Sequence, residues 1–466
     1  MMKCKLQYTL LTAWIVAASC LGDLDVKPTD IKDQTVAFTS VSDLNAGVLG
    51  VYAGLNGQSI KISSLVSDEN MTPVENTSNA GGLVMRWTHD PTTPDVLPAW
   101  QSNYQVIDRA NRILAVIDGI PAVAADEVRK RRMKGELLAL RAYCHLELIR
   151  HYAISYEPND GGVPVMTVSV AGKPERNTVG DVFTQIRKDL TEAKALIPAS
   201  WDTITRITRL AVSAIEARTA LYQKDWNTAI AAAKEVIDAV PLATAAQFPE
   251  IWSDVKKHEV IWKLKREPQD ERFGSFYRNA SGMIHYAPSF KLIAAFNGAH
   301  DVRFSTWITD LNPAPADTRW AVTKYAGGQP ANFNMADIKL FRVSEMYLIR
   351  AEAEAMKTGG SLASANADLE DLKSLRIDNY VHTAYGTAAD VLAAVEEERF
   401  RELAFEGHRY FDLRRWKKDI VRTPQDVANI GGVITLPVTR KQYFMPIPLA
   451  EVQANRNMQQ HPLYLQ

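Results

Sequence analysis

Cysteine is scarce in this chain of 466 residues, with three in all. Cys4 lies in an apolar leader and Cys20 directly follows small residues, which leaves Cys144 alone in the body and excludes an intramolecular disulfide. Cys144 stands among Leu140, Ala142, Leu146 and Leu148 on a helical spacing, so it reads as a buried, inert thiol. An excess of one charge is also missing: 53 Lys and Arg face 54 Asp and Glu, for a net charge of -1. Without a basic field or a polybasic patch, nucleic acid is excluded as a partner. There is no G-x-S-x-G elbow, no H-E-x-x-H and no Cys/His metal spacing, so no catalytic, metal or cofactor chemistry is legible. The apolar run Leu6 to Ala18, about 13 residues, falls short of the roughly 20 that span a bilayer.

What is present begins with that run. Lys3 and Lys5 precede it and Ala17-Ala18-Ser19 follow it, the layout of an export signal over residues 1–19. Small residues before Cys20 make Cys20 the expected lipidation site, and each acyl CH₂ buried in a membrane contributes roughly 0.8 kcal/mol. Residues 20–40 are polar and acidic with Pro28, which suits an extended tether.

From residue 41 to 466 the spacing predicts one mainly α domain. Helices are expected from Val41 to about Leu55, Trp100 to Ile117, Glu127 to Tyr152 and, capped by Thr178, through Ile197. Leu210 to Val240 is a repeat unit, with Ala217, Ala220 and Tyr222 before the Lys224-Asp225 turn and Trp226, Ala229, Ala233 and Ile237 after it. Met346 to Arg376 echoes it through Ala351, Ala353, Ala355, Ala363 and Ala367. Small alanines at a helix crossing are the tetratricopeptide pattern, and about four stacked pairs are expected, over 41–240 and 338–466.

Two parts fall outside this frame. Residues 56–99 hold Gly57, Gly81, Gly82, Pro73, Pro91, Pro94 and Pro98 without periodicity, the mark of a functional loop. Residues 241–337 form a loop-rich insertion with short strands, Val260 to Leu264 among them, whose many aromatic rings are expected to fill a small second core.

The stretch Glu396 to Trp416 reads as one packed helix, with Phe400, Leu403, Ala404, Gly407 and Phe411 on its apolar face. Its other face carries Glu398, Glu402 and Glu406 among arginines, predicting a charge ladder with local pairs Glu398–Arg401 and Glu402–Arg399. Carboxylates one turn apart resemble the roughly 5–5.5 Å pair of a retaining glycosidase. A general acid needs a raised pKa, however, and the neighbouring arginines hold these groups ionised, so the ladder is structural. Glu406 and His408 are two apart and miss the Glu-x-x-His metal spacing.

Glu398-Arg399, Glu402-Leu403, Glu406-Gly407-His408-Arg409 and Asp412-Leu413-Arg414-Arg415-Trp416 together closely resemble the C-terminal signature of the SusD/RagB family of Bacteroidetes surface lipoproteins. Cys20-Leu-Gly-Asp-Leu-Asp, the block from Leu140 to Tyr152 with Gly161 to Val165, and the tail from Phe444 to Tyr464 resemble further family segments, in order. The tail departs at His461 and Leu463, where the family commonly has Asn and Gly around the proline.

The resemblance implies a non-enzymatic protein, lipid-anchored at the outer membrane and facing the exterior. It would bind oligosaccharide, or in some members peptide, and deliver it to a SusC-type TonB-dependent transporter. A secreted hydrolase and a tetratricopeptide scaffold are the competing readings. A sugar site needs an aromatic platform and polar partners. Trp87, with Asp68, Asn70 and Asn76, meets this in the first loop, and Tyr277 and Tyr286 meet it in the insertion.

Overall fold

The computed structural model describes residues 37–78, 81–296, 298–312, 318–327 and 333–465. The expected leader, the Cys20 anchor and most of the tether lie outside the described residues. The longer helices are α1 (Val41–Tyr52), α2 (Gln58–Val66), α3 (Leu97–Leu114), α4 (Ala124–Tyr152), α5 (Val179–Leu196), α6 (Arg209–Gln223), α7 (Trp226–Ile237), α8 (Val343–Met356), α9 (Leu362–Ser374), α10 (Ala388–Glu402) and α11 (Arg409–Trp416). From α3 to α9 each helix packs on the next in chain order, and α10 also packs on α8, giving the stacked helical frame that the alanine spacing implies.

Side-chain caps fix where the helices begin. Ser40 with Asp43, Thr178 with Asp181 and Thr387 with Asp390 form reciprocal capping boxes at α1, α5 and α10. Between α6 and α7 the chain reverses in two residues. Lys224 takes the left-handed conformation, φ 60°, and the Asp225 carboxylate accepts from the Thr228 N–H. Ala211, Ala214, Ala217 and Ala220 of α6 and Ala229, Ala232 and Ala233 of α7 are buried, and their small side chains let the two backbones approach. A satellite core of Leu348, Leu369, Leu372, Val391 and Val395 joins α8, α9 and α10.

Short antiparallel strand pairs pin the irregular parts to the frame. The strands are β1 (Asn70–Met71), β2 (Val260–Leu264), β3 (Ala287–Pro288), β4 (Ile308–Asp310), β5 (Trp320–Val322), β6 (Ile338–Arg342), β7 (Ile420–Val421) and β8 (Thr435–Leu436). They pair as β1 with β3, β2 with β6, β4 with β5 and β7 with β8. Strand β2 lies where the sequence places it and is buried on both faces, Ile261 and Lys263 included. The β1–β3 pair carries the first loop onto the insertion.

Three expectations change. The 56–99 segment contains the regular helix α2, whose Ile60, Ile62, Leu65 and Val66 are buried. The insertion's rings build no separate second core: Trp252, Trp262, Phe273, Tyr277, Trp307 and Tyr325 join the one large cluster that also fills the helical frame. Glu396 to Trp416 is two helices, because the backbone turns between α10 and α11 through Phe405 at φ 63° and Gly407 at φ 80°.

The carboxylates of the ladder are enclosed by arginines from other parts of the chain, Arg303, Arg342 and Arg376. Glu398, Glu402 and Glu406 are buried. Glu398 keeps its local partner, Arg401 Nη2 at 2.8 Å, but Arg399 pairs with Asp412 at 2.7 Å instead of with Glu402. An unbroken helix rises 1.5 Å per residue, which would hold positions 399 and 412 about 20 Å apart. The break brings them into contact.

Candidate functional site

Helix α2 is the floor from which the first loop is built. At its end the backbone carbonyls of Leu65, Val66 and Ser67 accept from Arg422, which also donates to the Met85 carbonyl. The Trp87 ring lies over that guanidinium at 4.1 Å, its indole N–H donates to the Val66 carbonyl at 2.9 Å, and the residue is 1% exposed. Trp87 therefore plugs the loop onto the frame rather than offering a face to a ligand.

The other residues singled out from the sequence divide in two. Asp68 is buried and accepts from Arg409 Nε and Nη2, at 2.7 and 2.9 Å, and from Lys291 at 2.6 Å. Burial alone would raise its carboxyl, but these cations override burial and hold it well below the usual carboxylate range. Asn70 is buried in β1 with its amide donating to the Ser64 carbonyl. Tyr277 is buried, its hydroxyl sharing a hydrogen bond with Ser64 and its ring parallel to Tyr325. These three, like Trp87, hold structure together. Asn76 and Tyr286 each line a surface opening: Asn76 is half-buried and donates to the His285 carbonyl at 2.8 Å, and Tyr286, itself 3% exposed, packs its ring 4.9 Å from Phe276.

The segment from Ile284 to Pro288 is a partition with a groove on each side. One groove, a cavity of about 610 Å³, is lined by the first loop through Lys61, Leu65 and Asp95 and by the insertion through Glu271, Phe276 and Tyr286. Its apolar face is the tilted Phe276–Tyr286 pair, with Phe276 half-buried. Gly81 allows this approach: it sits at φ 66°, and a Cβ there would come 2.7 Å from the Tyr286 hydroxyl. On the rim Lys61 forms an ion pair with Glu271, and Arg272 donates to the Phe333 carbonyl at 2.7 Å. Partial burial raises the Asp95 carboxyl above its ordinary range.

The second groove, about 690 Å³, has half-buried Trp320 and exposed Phe290 beside the Glu75–Arg319 ion pair. The hydrogen bonds from Arg319 hold the Glu75 carboxyl below the usual range. A third cavity of about 630 Å³ lies on the frame between Trp226, Met356, Leu392 and Trp416. Its polar groups satisfy one another, Glu157 serving both Lys224 and Lys417 and the Trp416 indole donating to Glu352.

The first groove combines what a sugar ring requires, an apolar platform with acceptors and donors at its edge. Sequence reasoning found Tyr286 there but passed over Phe276 and Asp95. Phe276 adjoins Tyr277, whose buried ring packs on it at 4.9 Å, and nothing in the local spacing marks which of the two neighbours lines the groove.

Two family models match the chain. The one described as "Starch-binding associating with outer membrane" covers residues 24–221, and the one described as "SusD family" covers residues 316–464. A SusD-like protein of Formosa agariphila is 22% identical over 97% of each chain. Among solved structures, a putative sugar binding protein from Bacteroides vulgatus is 24% identical, with a TM-score of 0.80 over 92% of this chain and 100% of that one. A laminarin binding SusD-like protein has a TM-score of 0.69 and 22% identity over 91% of this chain and 100% of that one. With two matching models in chain order on a mainly helical frame that these structures share, the chain belongs to the SusD/RagB family.

Proposed function

We propose that the protein is a cell-surface lipoprotein, anchored through Cys20, that binds oligosaccharide in the groove between the first loop and the insertion and delivers it to a SusC-type TonB-dependent transporter. The observation that carries the binding step is the half-buried Phe276 ring, packed on the buried Tyr286 and lining the groove together with Lys61, Glu271 and Asp95. An accessible aromatic ring takes the C–H face of a sugar while charged and amide groups fix its hydroxyl edge. A family described as starch-binding and a neighbour described as laminarin binding support carbohydrate as the ligand class. Asn76 belongs to this reading as a positioning residue, since its amide fixes the His285 carbonyl beside Tyr286.

The test is calorimetric titration of the protein with glucan oligosaccharides, including laminarin fragments, alongside a peptide panel. Binding of a glycan that Phe276→Ala weakens at least tenfold supports the reading. Glycan binding indifferent to Phe276→Ala places the site elsewhere, and binding of peptides alone replaces the ligand class. Anchoring is tested separately, since Cys20→Ala should release the protein from membranes when the transporter is absent.

A further inference from the structure

The charges of the loop–insertion groove do not cancel evenly. Lys61 is taken by Glu271, and Arg272 is exposed at the rim with its guanidinium donating to the Phe333 carbonyl. His285 brings its Nε2 within 3.4 Å of the Asn279 amide nitrogen, a donor, so that ring nitrogen serves as an acceptor. Asp95 differs from all of these. It stands on the short helical turn Pro94–Val96, half-buried in the groove wall, and no other side chain donates to it among the described residues. Lys61 acts on it only through space, while its closer hydrogen-bonding partner remains Glu271.

A carboxylate left with open lone pairs beside an aromatic platform wants donors, and vicinal sugar hydroxyls provide two at suitable spacing. The same carboxylate repels a ligand carboxylate or sulfate. That repulsion is screened less at a half-buried position than at an exposed rim, where the Arg272 charge is weakened by salt. Building on the oligosaccharide reading, we infer that Asp95 is a specificity-determining residue that selects neutral, hydroxyl-rich glycans and excludes those bearing uronate or sulfate groups.

The experiment compares wild type with Asp95→Asn, using neutral glucan, mannan and xylan oligosaccharides and uronate or sulfated oligosaccharides of equal length. Wild type is expected to bind a neutral member at least tenfold tighter than any acidic one, and Asp95→Asn to narrow the ratio below threefold, chiefly by admitting the acidic ligand. High salt should narrow the wild-type ratio in the same sense. Asp95→Ser provides a second variant should the first fold poorly. Equal or tighter wild-type binding of acidic glycans, or a ratio unchanged in the variants, overturns the inference and leaves the oligosaccharide reading standing. Absence of binding to any glycan overturns both.

Discussion

Arg342 Nη1 lies 2.8 Å from Glu402 Oε1, and neither side chain is more than 1% exposed. Glu402 also accepts from Arg376 and Arg303, at 3.1 and 3.0 Å, and Arg342 and Arg376 each reach Glu259 as well. Arg303 comes from the insertion, Arg342 from the end of β6 and Arg376 from just beyond α9. One carboxylate on α10 thus ties three separate parts of the chain.

Substituting Glu402 with Gln should therefore cost much more than an exposed ladder would. Removing one partner of a buried ion pair costs about 3–5 kcal/mol, and an isosteric amide that still accepts one hydrogen bond belongs at the lower end of that range. Denaturant unfolding should show this loss, while glycan affinity of the folded fraction stays within twofold of wild type. A variant as stable as wild type would mean that the network carries no net stability. Burial would raise the carboxyls of Glu398 and Glu402, but their arginines hold both below the ordinary value, Glu398 down to about 2. Stability from depressed carboxyls is complete above the unfolded pKa and is lost as pH falls through the folded one. Wild type should therefore lose stability progressively below about pH 4.5, and Glu402→Gln less steeply.

Glu69 runs the other way. It is buried beside Asp68, and although it accepts from Ser64 at 3.0 Å and from the Phe405 N–H at 3.2 Å, burial raises its carboxyl from 4.5 to about 7. The folded state then holds a proton that the unfolded state releases between these values, so this group's contribution falls as pH rises from 4.5 to 7. Glu69→Gln should flatten that decline, gaining stability over wild type at pH 8 relative to pH 5. Thermal melts across the window check it, and parallel wild-type and variant curves would refute it.

The parts of the fold written in local spacing were legible, and the parts written in distant pairs were not. Alanine periodicity placed α6 to α9, and a capping Thr178 placed the start of α5, because both signals act within a few residues. The partners of Glu402 lie 26 to 99 residues away, so counting i, i+3 and i, i+4 offered Arg399, which the turn at Phe405 and Gly407 sends to Asp412. Trp87 met the same difficulty: its support is Arg422, at the far end of the chain. The tail's missing glycine was harmless, since His461 Nδ1 itself accepts from the Leu463 N–H and closes the turn.

Gly407 is where two demands coincide. Its φ of 80° favours glycine, and an added Cβ would stand 3.1 Å from the backbone nitrogen of Ile60 in α2. Its carbonyl also accepts from Arg150 at 2.7 Å, which ties α4 to this turn. Gly407→Ala should destabilise the protein by at least the roughly 1–2 kcal/mol of a left-handed non-glycine residue, with more if α2 must shift. An unchanged melting temperature would show that the turn relaxes freely.

Trp87 and Phe276 separate the two roles that an aromatic in these segments can take. Trp87 is 1% exposed and holds Val66 and Arg422, whereas Phe276 is half-buried on the groove. Truncating a large buried aromatic costs roughly 3–5 kcal/mol, so Trp87→Ala should unfold at markedly lower denaturant while its folded fraction binds the glycan nearly as tightly as wild type. Phe276→Ala should invert the pattern. It keeps most of its stability, because solvent already reaches the ring, yet it loses the platform and with it at least tenfold in affinity, or about 1.4 kcal/mol. Measuring both quantities on both variants decides the assignment. If Trp87→Ala loses affinity while its stability is kept, the loop displays that ring after all; if Phe276→Ala loses only stability, the groove is packing and not a site.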